Sequence, residues 1–138
     1  MRCLISTKVA GCNHCHTRNY GQSGGTVAEE SWLTGGGTGY SGPWGTTYAT
    51  NLRLYMQGFS EEQWLMKARS LRARPPMPWF ALRDMSDDDL RALYRYVRQL
   101  GAAGMPAPAF VAPRIAPDTP YFSMTPQLPT AYGTDVGE

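Results

Sequence analysis

The chain predicts an all-α fold of three to four short helices joined by long irregular loops, with an extended proline-rich arm at the C-terminus. Three observations predict it. Two segments carry apolar residues at helical spacing between recognisable start and stop signals. Residues 21–45 hold nine of the 15 glycines and show no period, so they form a long loop. Residues 102–138 hold seven of the 11 prolines and no helical period, which marks an extended arm. The expected division is a helical body over 1–101 and the arm over 102–138.

The first predicted helix covers residues 2–16, where Leu4, Ile5, Val9 and Cys12 recur at helical spacing. Gly11 within it permits close approach to a neighbouring group. The glycine-rich loop follows, and a loop of that length in a compact domain is functional or packed on something. The second helix opens at Ser60-Glu61-Glu62-Gln63, a capping box with Ser60 as N-cap. Trp64, Leu65, Ala68 and Leu71 form its apolar stripe. Lys67, Arg69, Arg72 and Arg74 place positive charge toward its end, where the dipole favours it, before Pro75 and Pro76 stop it. The third helix opens at Ser86 with three aspartates in its first turn, carries Leu90, Leu93, Tyr94, Val97 and Leu100, and ends at Gly101. In the arm, Phe110, Val111, Ile115, Tyr121, Phe122, Met124, Leu128 and Tyr132 are more apolar than disorder favours. The arm is therefore expected to lie along its own domain or a partner.

The chemistry is concentrated in Cys12-Asn13-His14-Cys15-His16, the C-x-x-C-H signature of haem attachment. On a helix, positions i, i+3 and i+4 share a face. Cys12 and Cys15 can each form a thioether with a haem vinyl group while His16 projects at the iron from the same side. A zinc site is a poorer reading, because Cys3, Cys12, Cys15, His14 and His16 crowd into sixteen residues with no second cluster downstream. A dithiol motif should adjoin a βαβ pattern, and none is visible. A lipoprotein cleavage site at Cys12 would need an apolar leader, and the preceding segment is short and carries Lys8. Cys3 reads as a small buried hydrophobe.

The far side of the iron needs its own ligand. His14, the other of two histidines, lies inside the attachment loop and is expected to be an exposed polar residue. Thioether sulfur is the next common choice. Among seven methionines, Met77 leads: it stands between Pro76 and Pro78, where fixed backbone presents a side chain with little entropy loss. Met56 is second, and an open or otherwise ligated site is third.

The order of C-x-x-C-H helix, long loop, helix, Pro-Met-Pro loop and final helix resembles a class I c-type cytochrome and its cytochrome c fold. It is most similar to the mono-haem cytochrome c subunits and domains of bacterial periplasmic dehydrogenase complexes. The residues that carry the likeness are Gly45 to Leu52, Met77-Pro78-Trp79-Phe80, Leu82, Ser86 to Leu90, and Leu93 to Val97. The resemblance covers about residues 2–101. It implies that Cys12 and Cys15 bind one haem c, that His16 and Met77 ligate the iron, and that Tyr48 and Asn51 lie by the haem or its propionates. It also implies that the final helix packs across the first. Trp79 stands where a tyrosine is frequent, and the arginine-rich segment before Met77 and the arm fall outside the common core.

The predicted function is therefore single-electron transfer between redox partners, without substrate chemistry. The alternatives are a haem enzyme or gas-binding sensor with an open sixth site, or a structural subunit of a larger redox complex assembled through the arm. The formal charge of +2 is too small to argue for nucleic acid, and no apolar run reaches membrane-spanning length. Protein redox partners such as a dehydrogenase, an oxidase or another cytochrome are expected, with Lys67, Arg69, Arg72 and Arg74 as a positive rim. Thioether attachment normally takes place outside the cytoplasm, which predicts a periplasmic or similar location. No signal peptide is recognisable before the haem helix, so the signal is expected to have been removed or the start misplaced.

Overall fold

In the computed structural model, which describes residues 7–129, the chain is helical at 7–9 and then turns at Gly11. The Gly11 φ of 74° is left-handed, a conformation that glycine adopts without a Cβ penalty. Helix α1 (Cys12–His16) starts afresh from it. The single helix expected over 2–16 is thus broken at Gly11. Val9, expected on the same stripe as Cys12, is 81% exposed, because the left-handed turn puts the two segments out of phase. Cys3, Leu4 and Ile5 lie outside the described residues, as does the start of the helix that the final helix was expected to cross.

The glycine-rich loop is not wholly irregular. A 3-10 turn, Glu29–Ser31, precedes a hairpin of β1 (Gly39–Gly42) and β2 (Gly45–Thr47), paired antiparallel. Gly45 has φ 105°, and a Cβ there would collide with the Val111 carbonyl of the arm. Helix α2 (Leu52–Tyr55), extended by a 3-10 turn at Met56–Gly58, is capped by the Asn51 side chain, which accepts from the Leu54 N–H at 3.1 Å.

Helix α3 (Glu61–Ser70) begins with both bonds of its capping box formed. It ends five residues before Pro75: Ser70 Oγ donates back to the Met66 carbonyl at 2.9 Å, and Leu71 turns extended to pack on the core. Arg72 and Arg74 consequently lie in the following loop and not on the helix. A short helix, α4 (Trp79–Asp84), then α5 (Asp87–Leu100) complete the body. Ser86 accepts from the Asp89 N–H at 3.1 Å, and Gly101 ends α5 at φ 77°. Trp64, Leu65 and Ala68 of α3 and Leu90, Leu93 and Val97 of α5 form the centre of the core. The Trp64 indole N–H donates to the Leu90 carbonyl at 2.9 Å within it.

The expectation of an all-α chain is corrected by a third strand. β3 (Tyr121–Ser123) of the arm pairs in parallel with β1, giving a small sheet in the order β2-β1-β3. Strands of three or four residues, two of them rich in glycine, leave no readable alternation. Val111 adds a two-bond bridge to Thr46, at 2.8 and 3.0 Å. As far as Met124, whose N–H donates to the Ser41 carbonyl at 2.7 Å, the arm thus lies along its own body. Arg53, 6% exposed, ties the end of α5 to the first loop: it donates to the carbonyls of Gly101 at 2.7 Å, Glu30 at 2.6 Å, and Leu100. No helix among the described residues is long and apolar enough to cross a membrane.

Candidate functional site

Gly11 gives α1 its own start, so Cys12, Cys15 and His16 occupy positions i, i+3 and i+4 of one short helix and share a face. Neither cysteine is in a disulfide, and both are half-buried. His16 is buried, and its Nδ1 lies 2.7 Å from the Thr50 carbonyl oxygen. A carbonyl only accepts, so Nδ1 carries the proton and Nε2 keeps its lone pair. Burial lowers the imidazole pKa, against the opposing pull of the Thr50 bond. The ring is therefore held neutral and oriented, the condition of a metal-ligating histidine whose second nitrogen is fixed by a carbonyl.

The glycines of the first loop make that contact possible. Gly35 donates to the His16 carbonyl at 2.8 Å, and Gly36 to the Ala49 carbonyl at 3.1 Å. A Cβ at Gly35 would stand 3.0 Å from the Asn51 nitrogen, and one at Gly36 would stand 3.0 Å from the Cys15 carbonyl. Larger residues would push the 49–51 segment off α1. From the other side, buried Asn13 accepts from Thr17 Oγ1 at 2.8 Å, and that hydroxyl accepts from the Leu33 N–H at 2.8 Å.

Burial pushes the Cys12 thiol up, the opposite of the activated thiolate that a dithiol motif requires. The Tyr40 hydroxyl, on β1, is pushed up to about 12 by burial and by its hydrogen bond to Cys15. Among the described residues, no group of three or more His, Cys, Asp or Glu side chains is gathered to hold a metal ion.

Met77 is partly buried and packs on the same core as Cys12. Its N–H donates to the Arg74 carbonyl at 3.2 Å, and its carbonyl accepts from Trp79 at 2.9 Å. Thr47 Oγ1 donates to the Pro75 carbonyl at 2.8 Å, holding this loop to the hairpin. Met56 is 0% exposed, so its sulfur is covered by protein on every side.

The polar atoms of Tyr48 and Asn51, the pair expected beside the haem or its propionates, have partners within the protein. The Tyr48 hydroxyl is 2.6 Å from Thr119 Oγ1. The Asn51 amide donates to the carbonyls of Ala103 at 2.8 Å and Met105 at 3.1 Å while its oxygen caps α2. The group in this stretch that reaches α1 is the Thr50 main-chain carbonyl between them, for which side-chain type holds no signal. Tyr40 and Trp44 were likewise unmarked in the sequence. The Trp44 indole N–H is buried and meets no acceptor among the described residues.

Two cysteines and a neutral, oriented histidine on one helical face fit the attachment chemistry of a c-type haem. Residues 7–101 match the family model described as cytochrome c. That span is more than half of the chain, so the chain belongs to the cytochrome c family. The searches of curated proteins and of solved structures each return no match. The cofactor is accordingly a covalently attached haem c, and the family's chemistry is haem-based electron transfer.

Proposed function

We propose that this chain is a mono-haem, class I electron carrier whose haem is joined to Cys12 and Cys15, with iron held between His16 Nε2 and the Met77 sulfur. The observation that carries this reading is the 2.7 Å bond from His16 Nδ1 to Thr50, which leaves a neutral ring with one free lone pair beside both cysteines. The surroundings fit the group. Cys12, Leu52, Tyr55, Phe59, Leu71 and Met77 supply partly buried apolar surface, and the acceptor-less Trp44 N–H suits a buried carboxylate such as a propionate. The haem supplies a one-electron couple, and axial ligation by histidine and thioether raises its potential. The protein contributes fixed ligands, apolar cover and a docking face. If His16 and Met77 both hold the iron, carbon monoxide added to the reduced protein should leave the absorption spectrum unchanged. Rapid spectral change on mixing would overturn this reading in favour of a haem enzyme or gas sensor.

The site of action follows from thioether chemistry and is proposed to be extracytoplasmic, with a dehydrogenase-type protein as partner. The docking rim narrows from four cations to three. Arg69 is engaged internally, donating to the Met85 carbonyl at 2.6 Å and to Asp87 at 2.5 Å. Arg72 lies over Trp79 at 4.2 Å and Arg74 over Phe110 at 3.8 Å, and Lys67 completes the set. Stacked guanidinium groups keep their charge at the surface in a fixed place. Such a rim steers an acidic partner. The electron-transfer rate should fall as ionic strength rises from about 0.01 to 0.15 M, over which the screening length shortens from ~30 to ~8 Å. A salt-independent rate would remove the steering role.

A further inference from the structure

We infer that the arm over residues 102–129 is a brace fastening both iron-facing segments, with Phe110 as the positioning residue of the Met77 loop. The inference rests on the His16 and Met77 ligation proposed above. The arm lies beyond the matched span 7–101, yet its fastening points converge on the site.

On the histidine side, the Tyr48–Asn51 segment is tied to the arm at both ends. Tyr48 meets Thr119 at 2.6 Å, and Asn51 donates to the Ala103 and Met105 carbonyls. Between those anchors sits Thr50, whose carbonyl orients His16. The arm therefore fixes the orienting group without touching the imidazole.

On the methionine side, two ties hold the loop laterally. One is Thr47 Oγ1 to the Pro75 carbonyl at 2.8 Å. The other is the Arg74 guanidinium, 3.8 Å from the centre of the Phe110 ring. A single bridge registers both: Val111 exchanges two backbone hydrogen bonds with Thr46, placing Phe110 beside Arg74 and leaving Thr47 facing Pro75. Gly45 at φ 105° allows that approach, since a Cβ would strike the Val111 carbonyl and the Phe110 ring. If the Met77 sulfur holds the iron, the freedom of its loop contributes to how often that bond opens. Fastening Arg74 and Pro75, three and two residues before Met77, restricts that freedom directly.

The test uses the full-length holoprotein and follows the methionine-to-iron charge-transfer band of the oxidised form as pH is raised. Phe110→Ala should lower the pH at which half of the band is lost by about half a unit, a roughly threefold shift in the opening equilibrium. Phe110→Tyr, which keeps a ring under Arg74, should restore it. Because Phe110 is 40% exposed, the thermal midpoint should change little. An unchanged pH midpoint in Phe110→Ala overturns the brace. Met77→Ala is run beside it. If that variant keeps the band, the ligand assignment fails and the brace's object with it, whereas a band lost there and unmoved in Phe110→Ala overturns the brace alone.

Discussion

Replacing Cys12 and Cys15 together by alanine is expected to abolish haem retention through a denaturing gel and to prevent the native fold from forming. The chemical half of the argument is direct, since each thioether needs one of these sulfurs. The physical half concerns the core. The buried cluster around Trp64, Leu90 and Val97 is flanked by a partly buried set that includes Leu52, Tyr55, Phe59, Leu71 and Met77. Those side chains need a large apolar partner. If the haem covers on the order of 300 Å² of them, the contribution is about 7 kcal/mol, comparable with the ~5–15 kcal/mol net stability of a whole domain. Haem staining after electrophoresis and far-UV circular dichroism measure the two halves separately. Cys12→Ala or Cys15→Ala alone should retain haem through the remaining thioether, at reduced stability. Haem that stays covalently bound to the double variant would show attachment elsewhere and defeat the assignment.

What was legible in the sequence was whatever side-chain type and short spacing encode. Ser60 with Gln63, and Ser86 with Gly101, located the starts of α3 and α5 and the end of α5, because capping depends on particular side chains meeting particular orphan N–H groups. The shared helical face of Cys12, Cys15 and His16 was legible from their spacing. The illegible features depend on backbone placed by tertiary contact. Thr50 matters through its carbonyl, which every residue type has. The hairpin at Gly39–Thr47 is stabilised by β3, eighty residues along the chain, and no local pattern announces that pairing. Gly11 also carries a left-handed break in the helix, which its residue type permits and does not announce. Arg72 and Arg74 looked like a helix end because Pro75 seemed the natural stop, whereas Ser70 turned the chain earlier. Tyr48 and Asn51 lie beside the Thr50 contact to α1, yet their own polar atoms are engaged by the arm and α2.

Met77→Ala is expected to remove the methionine-to-iron charge-transfer band and to lower the reduction potential by on the order of 0.2 V, a fraction of the ~0.8 V over which axial ligands tune haem. A thioether ligand stabilises reduced iron more than water or hydroxide does, so losing one favours the oxidised state. The same variant should bind carbon monoxide when reduced, because an axial position becomes exchangeable. Met56→Ala separates ligation from packing. Met56 is fully buried, so truncating it should cost about 2–5 kcal/mol of stability by cavity formation while leaving band and potential in place. Met77, by contrast, is partly exposed and held in a loop by Thr47 and Arg74, so truncating it should cost much less in packing. Potentiometry on the two variants therefore reads ligation, and denaturant titration reads packing. If Met56→Ala moved the potential and Met77→Ala moved only stability, the two roles would be exchanged and the sixth ligand would come from the end of α2.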